Sequence, residues 1–211
     1  MSKYIRDLIS MGEHQQQDFK FEINDARKIA KTLVAFSNTD GGKILIGVKD
    51  NGKIAGVRSD EEYYMIETAA TLFCRPEISF HLKKWEIQGK TILEVDIPKG
   101  LHRPYLSKNE DDKWLSYVRV KDQNFLANSI QLRVWKNEKR KKGVFVKFTE
   151  KEKILLDYLQ TKPINLSQYT RISGLSRRKA SDILVKFISL GVVEMNYNEK
   201  EISYTAINNP S

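Results

Sequence analysis

Three pieces of sequence decide the fold of this chain: residues 13–22 read EHQQQDFKFE, residues 35–42 read AFSNTDGG, and residues 44–57 read ILIGVKDNGKIAGV. In the first piece, Phe19 and Phe21 alternate with Asp18 and Lys20, which predicts a half-buried strand. The third piece opens with an apolar run of strand length and continues through Asp-Asn-Gly, a sequence typical of hairpin turns. These pieces therefore predict two strands and a hairpin that ends at Val57.

The segment between the first two pieces predicts a helix. Its apolar residues recur at helical spacing and would share one face: Ala26, Ile29, Ala30, Leu33 and Val34. Asn24 precedes this segment and is the predicted N-cap. Gly41 and Gly42 can take the left-handed conformation that ends a helix and turns the chain into the next strand.

This order of pieces resembles the AlbA-like core of the schlafen family. The family pattern is a Glu, an acid-Phe-Lys triplet five positions later, Ala-Phe-x-Asn-Thr-x-Gly-Gly, and Ile-Gly-Val-x-Asp before a short hairpin. Its Tyr-x-Arg-like element is matched at Tyr117 and Arg119, so the resemblance covers about residues 10–130. It implies an α+β fold whose first domain, residues 1–135, is a mixed α/β core.

The remainder of the first domain predicts one helix and two strands. Residues 60–73 place apolar side chains on one side of a helix. Residues 77–82 and 90–98 alternate between apolar and polar residues, which predicts strands. The turn between these strands is predicted at residues 85–89.

A second domain is predicted over residues 147–209. Thr149 and Glu152 form a capping-box pattern that opens one helix, and Ser176 is the predicted N-cap of a longer helix reaching about residue 190. Two alternating segments follow, so the order is helix, helix, turn, helix and hairpin. This order resembles a winged helix-turn-helix domain. Residues 136–146 are the predicted basic linker.

Composition limits the class of protein. The 211 residues are 40% hydrophobic, enough for two modest cores. Cys74 is the only cysteine, so an intramolecular disulfide and a cysteine-rich zinc site are excluded, and we expect this residue in a core. No apolar run approaches the roughly 20 residues of a membrane span. We therefore expect a soluble cytoplasmic protein with no membrane partner.

The net charge of +9 is unevenly distributed. Six basic residues and one acidic residue lie between Arg133 and Lys142. A basic strip beside a second domain favours a polyanionic partner, although a solvated lysine-rich helix end would have the same composition. Three residues of this strip are predicted nucleic-acid contacts: Arg140, Lys141 and Lys142.

The helix after Ser176 carries the other predicted contacts with nucleic acid. A recognition helix places its first residues in the major groove, where arginine can bind guanine through two hydrogen bonds and lysine mostly binds phosphates. The predicted contacts are Arg177, Arg178, Lys179, Ser181, Lys186 and Lys200. Ser181 is expected to face outward, and Lys200 is expected on the wing. Double-stranded DNA is the expected partner. RNA, a protein partner and a homodimer stay open.

Three carboxylates define an alternative function. The resemblance places Glu13, Asp18 and Asp50 at the positions that hold a divalent metal in schlafen-type nucleases, where clustered carboxylates bind Mg²⁺ or Mn²⁺. Glu13 must precede a bend to approach Asp18, since five residues along a straight strand would separate their faces. Asp18 stands where the family usually has Glu, so we expect only partial convergence. Ordinary surface carboxylates would explain Glu13 and Asp50 equally.

Other cofactor sites are not predicted. A Walker-type ATP site needs Ser or Thr after Gly-Lys, but Gly42-Lys43 is followed by Ile44. The three histidines lack metal-ligand spacing. The sequence therefore predicts a DNA-binding protein, most plausibly a transcriptional regulator, with a divalent-metal-dependent endonuclease acting on RNA or DNA as the alternative.

Overall fold

The computed structural model describes residues 2–57, 59–138 and 148–207. The chain divides into two compact units, Met1–Ala127 and Asn128–Ser211. The sequence-based boundary at residue 135 falls inside a helix that belongs to the second unit, because Ile130 and Val134 pack in the core of that unit. Most of the predicted linker lies outside the described residues.

The first unit contains three helices and nine strands within the described residues. In chain order these are α1 (Ser2–Met11), β1 (Gln17–Lys20), α2 (Ala26–Asn38), β2 (Gly42–Ile46), α3 (Glu61–Leu72), β3 (Cys74–Arg75), β4 (His81–Ile87), β5 (Lys90–Ile97), β6 (Leu106–Lys108), β7 (Trp114–Leu115), β8 (Tyr117–Val120) and β9 (Gln123–Leu126).

A four-stranded sheet with the order β1-β2-β5-β4 organises this unit. β1 runs parallel to β2, with Asp18 opposite Ile44, and the other pairs are antiparallel. Helices α2 and α3 bury their apolar faces against one side of the sheet, and Cys74 lies in that core, as predicted. On the other side, Ile5 of α1 packs with Phe19 and Leu45.

Helix α2 begins one residue later than expected. The N-cap is Asp25, not Asn24, because the Asp25 side chain accepts hydrogen bonds from the backbone N–H groups of Arg27 and Lys28. After the helix, Gly41 takes a φ of +72°, and a Cβ atom there would lie 2.7 Å from the carbonyl oxygen of Ile97. The turn into β2 therefore requires glycine at this position.

Two local predictions need correction, the bounds of one strand and of the turn that follows it. The strand predicted at residues 77–82 is β4, which starts at His81 and continues to Ile87, and its turn is confined to Gln88 and Gly89. The physical reason is that Ile87 is buried beside α1 and extends the pairing beyond the predicted turn. The predicted hairpin turn after β2 is present at residues 50–52, where Val48 and Ile54 form an antiparallel bridge and the backbone N–H of Lys49 donates to the carbonyl oxygen of Lys53. Helix α1 was not predicted.

The second unit contains four helices and three strands within the described residues: α4 (Ser129–Glu138), α5 (Glu150–Leu159), β10 (Ile164–Asn165), α6 (Leu166–Ser173), α7 (Arg177–Ser189), β11 (Val193–Tyr197) and β12 (Ile202–Ala206). The strands form a sheet with the order β10-β12-β11. The helices bury their apolar sides in one core that includes Leu155, Leu184 and Tyr204.

The helix starts of this unit follow the predicted chemistry. The capping box of Thr149 and Glu152 is confirmed, and Ser176 is confirmed as the N-cap of α7, accepting from the backbone N–H of Lys179. Gly174, with a φ of +67°, ends α6 in the left-handed conformation and allows the sharp turn into α7. The α+β fold class is confirmed. In the described part of the chain, no helix is long and apolar enough to cross a membrane.

Candidate functional site

A bend after α1 brings two carboxylates together in the first unit. His14 and Gln17 form an antiparallel bridge, which reverses the chain between Glu13 and β1. The Gln17 side chain holds this bend by donating to the carbonyl oxygens of Leu8 and Gly12, each at 2.7 Å. As a result Glu13 Oε1 accepts a hydrogen bond of 2.8 Å from the backbone N–H of Phe19, beside Asp18.

Asp18 is buried and paired with a buried arginine. Its Oδ1 accepts a 3.0 Å hydrogen bond from Arg119 Nη2, and both side chains are at most 5% exposed. Asp18 Oδ2 forms an ion pair with Lys20 Nζ at 2.5 Å. Arg119 also donates to Gln17 O and to Asn124 Oδ1. The carboxylate of Asp18 is thus fixed by neighbouring cations.

Burial and the approach of the Asp18 carboxylate change the acidity of Glu13. Burial raises the pKa of Glu13 above its ordinary value, and the nearby Asp18 charge raises it further. The hydrogen bond from Phe19 N–H and the charge of Lys20 act in the opposite direction. The structure therefore favours the neutral form of Glu13 more than an exposed position would.

Asp50, the third predicted carboxylate, is exposed and lies at the start of the turn at residues 50–52. No three His, Cys, Asp or Glu side chains among the described residues group so that they could hold a metal ion. This statement includes Glu13, Asp18 and Asp50. The structure brings the first two together but does not group all three around one point, the arrangement that Mg²⁺ or Mn²⁺ would require of its oxygen ligands.

The raised pKa of Glu13 leads to a testable pH dependence. Ionised Glu13 costs stability, so the free energy of unfolding should fall as pH rises from the ordinary carboxyl pKa through the raised pKa of the folded state. Glu13→Gln keeps an oxygen for Phe19 N–H and removes the charge. We expect this variant to unfold at higher urea concentration than wild type at pH 7 and to match it near about pH 4.

A matched variant tests whether this effect is local. Glu77→Gln removes one negative charge from an exposed position in the same unit. It should leave the pH dependence of unfolding as in wild type. If Glu77→Gln and Glu13→Gln shift the pH dependence equally, the burial of Glu13 beside Asp18 does not cause it.

The predicted contacts on α7 divide into exposed and buried residues. Arg177, Arg178 and Lys179 are exposed in the first turn of the helix, and no acidic residue accompanies them there. Ser181, expected to face outward, is only 8% exposed, because its hydroxyl donates to the carbonyl oxygen of Arg177 one turn earlier. Ser181 therefore does not face outward as expected. Lys186 is half-buried.

The other predicted contacts lie in the hairpin and the basic strip. Lys200 is exposed in the turn between β11 and β12, where its backbone N–H donates to Asn198 Oδ1. The contacts predicted in the basic strip, Arg140, Lys141 and Lys142, lie outside the described residues.

Among the ion pairs that the sequence did not predict, two involve residues of the candidate sites. One joins Arg119 to Asp18, and the Tyr-x-Arg-like element was the only sequence signal for it. The other joins Arg133 of α4 to Asp182 on the half-exposed side of α7. This second pair offsets the one acidic charge of α7.

Comparison with known proteins identifies the first unit. The family model described as Schlafen, AlbA_2 matches residues 13–128, more than half of the chain. A search of curated proteins gives no match. The similar solved structures include the DIP2311 protein from Corynebacterium diphtheriae, with 21% identity, a TM-score of 0.44, and coverage of 62% of this chain and 25% of that one.

A second similar structure is the N-terminal domain of a RecG-related protein from Nitrosomonas europaea, determined by NMR in solution. It shows 20% identity and a TM-score of 0.41, and the match covers 59% of this chain and 93% of that domain. The match spans only a quarter of the DIP2311 protein.

Proposed function

The chain belongs to the Schlafen AlbA_2 family through residues 13–128, and on this premise we propose that it is a double-stranded-DNA-binding protein that acts as a transcriptional regulator. The first unit is the family core. The second unit supplies the contact with DNA. Residues 147–209 would form a winged helix-turn-helix domain, with α7 as recognition helix and the β11–β12 hairpin as wing.

The observation that carries this proposal is the first turn of α7. Arg177, Arg178 and Lys179 are all exposed there, immediately after the turn at Gly174, while the rest of the helix buries its apolar side. The first residues of a recognition helix are those that reach base edges in the major groove. Three cations at this position match that role.

The chemistry of these side chains suggests that the arginines contact bases and the lysines contact phosphates. Arg177 and Arg178 can each make two hydrogen bonds to guanine, which specifies sequence. Lys179, Lys186 and Lys200 suit phosphate contacts, which fix the position of the protein on the duplex. The Ser176 hydroxyl caps the helix, so it is less available to DNA than the basic side chains.

The ion pair between Arg133 and Asp182 supports the same role. An unpaired carboxylate beside the recognition residues would repel the phosphates of DNA. Arg133 places a positive charge against Asp182 and removes much of this repulsion. The half-exposed side of α7 is therefore compatible with a polyanion along the helix.

A binding competition tests the proposal. The full chain would be mixed with a labelled random-sequence DNA duplex, and unlabelled duplex DNA, RNA hairpins and single strands would compete. We expect duplex DNA to compete at the lowest concentration, since the major groove of A-form RNA is too deep and narrow for a helix. Competition by single strands or hairpins at equal or lower concentration would contradict the proposal.

A metal-dependent endonuclease is the second candidate, favoured by the approach of Glu13 to Asp18 and the raised pKa of Glu13. Against it, Asp18 Oδ1 already accepts from Arg119, and Asp50 does not complete a metal-binding group. We expect no cleavage of structured RNA or DNA with Mg²⁺ or Mn²⁺. Turnover by the wild type that disappears in Asp50→Asn, while nucleic-acid binding persists, would establish the nuclease instead.

A further inference from the structure

An acidic cleft of about 550 Å³ opens on the first unit, and neither Glu13 nor Asp18 lines it. One wall is the segment that follows β1, and the other is the first two turns of α3. Its lining includes three glutamates, Glu22, Glu61 and Glu62, and none of the described lining residues is basic. The cleft is thus a negative region on a chain with a net charge of +9.

Glu62 is the unusual member of this lining. Glu62 is only 8% exposed to solvent. Its buried Oε2 atom has no hydrogen-bond partner among the described residues. A buried carboxylate without a partner is unfavourable, because it has lost its hydration without gaining a replacement. Glu62 lies in the first turn of α3, where the positive end of the helix dipole stabilises a negative charge. The dipole does not provide a hydrogen bond to Oε2. A cation or a hydrogen-bond donor that enters the cleft would supply the partner that Glu62 Oε2 lacks among the described residues.

The rim and walls define the shape of that partner. Glu22 and Glu61 are exposed at the edge of the cleft and add negative charge. Tyr64 is 62% exposed and can place its ring against a cation. Ile23 and Met65 are half-buried and provide apolar surface that can contact methylene groups. A ligand with a positive group on an alkyl chain can contact the acidic rim, the Tyr64 ring and the apolar walls at the same time.

A metal ion fits the cleft less well. Magnesium and calcium bind six or more oxygen atoms around one point, at about 2.0 to 2.6 Å. The three glutamates do not group in this way, since no three acidic or metal-binding side chains among the described residues do. Their separation suits an extended organic cation that reaches from the rim to the floor.

We propose that this cleft binds a primary alkylammonium group, as carried by a polyamine or a lysine side chain, with Glu62 as its buried counter-ion and Tyr64 and Met65 as its walls. The site goes beyond DNA binding and does not depend on it. All of its described residues belong to the first unit, whereas the proposed DNA contacts belong to the second.

Calorimetric titration of the full chain with spermidine tests the site. Glu62→Gln keeps the shape of the side chain and removes its charge, so spermidine binding should weaken at least about tenfold. Glu67→Gln is the matched control, because Glu67 lies on the same helix, is exposed and does not line the cleft. It removes the same charge and should change binding by less than about twofold.

Two further ligands distinguish the source of the ammonium group. A short capped peptide with one lysine represents a protein partner, and Mg²⁺ represents a metal. Tighter Glu62-dependent binding of spermidine assigns the site to polyamines, and tighter binding of the peptide assigns it to a protein. The proposal is overturned if neither binds, if Glu67→Gln weakens binding as much as Glu62→Gln, or if Mg²⁺ alone binds in a Glu62-dependent way.

A stability measurement separates lost binding from lost folding. Without ligand, Glu62→Gln should melt at the same temperature as wild type or higher, because it removes an unpartnered buried charge. With saturating spermidine, the melting temperature of wild type should rise and that of Glu62→Gln should not. A lower melting temperature of the ligand-free variant would show that Glu62 already has a stabilising partner, which also overturns the proposal.

Discussion

Replacing both Arg177 and Arg178 by Ala is expected to abolish sequence-selective binding of duplex DNA. Each bidentate contact of arginine with guanine contributes about 1 to 3 kcal/mol of discrimination, so losing two should weaken binding to the preferred site by about 10²-fold or more. Both side chains are exposed, and neither contributes to the apolar core of the second unit. The variant should therefore fold normally. Fluorescence anisotropy with the preferred and a scrambled duplex measures the effect.

The matched control is Lys153→Ala with Lys162→Ala, which removes two exposed positive charges from the same unit. These residues lie on or just after α5, away in sequence from the recognition helix. The control should weaken binding to both duplexes slightly and equally, because it changes only general electrostatic attraction. If the double arginine variant binds both duplexes as wild type does, α7 is not the recognition helix.

Arg119→Ala is expected to destabilise the first unit by about 3 to 5 kcal/mol. The change leaves Asp18 buried, with its Oδ1 unpaired, and also removes donors to Gln17 O and Asn124 Oδ1. The guanidinium carbon of Arg119 lies 5.1 Å from the centre of the Phe36 ring, so a packing contact is lost as well. Urea unfolding followed by NMR at residues of the first unit measures this change separately from the second unit.

Two further variants identify the cause of the destabilisation. Arg6→Ala removes an exposed arginine from the same unit and should change the free energy of unfolding by less than about 0.5 kcal/mol. The double variant Arg119→Met with Asp18→Leu removes both buried charges and should recover much of the loss. If the double variant is as unstable as Arg119→Ala, the loss of the buried ion pair between Arg119 and Asp18 is not the cause.

Short-range chemistry made part of this fold predictable. The capping box at Thr149 and the N-cap at Ser176 depend on residues within one helical turn, and both are confirmed. The same kind of reasoning missed the N-cap of α2 by one residue. Asn24 and Asp25 are equally good caps by residue type, and only the backbone path decides between them.

Strand boundaries were less predictable because they depend on tertiary pairing. The alternation through Ile78 and Phe80 has the period of a strand, yet the ladder with β5 begins at His81. Ile78 is buried, so the alternating pattern predicted the burial of this residue correctly. It did not predict where the strand pairing begins. Trp85 continues β4 because it packs beside α1 and donates to Glu94, a partner that no local pattern indicates.

The candidate sites show the same limit. The bend that Glu13 requires could be inferred from spacing alone, and the structure contains it. The pairing of Asp18 with Arg119 joins residues 101 positions apart, so it could not be derived from spacing. The Ser181 hydroxyl points inward and donates to the carbonyl oxygen of Arg177 in the preceding helical turn. The position of Ser181 on the helix face does not predict this hydrogen bond. The sequence also could not show that Glu62 Oε2 lacks a hydrogen-bond partner, because this depends on the burial of the atom in the fold.

Hydrogen–deuterium exchange of the full chain, with and without a bound duplex, tests the central proposal most directly. If α7 and the β11–β12 hairpin hold DNA, the duplex should slow exchange in peptides that cover Arg177 to Lys179 and the turn at Lys200. Peptides from the first unit that cover β2 and β5 should exchange as before. Slowed exchange confined to the first unit, with the second unit unchanged, would contradict the proposal that the second unit binds DNA.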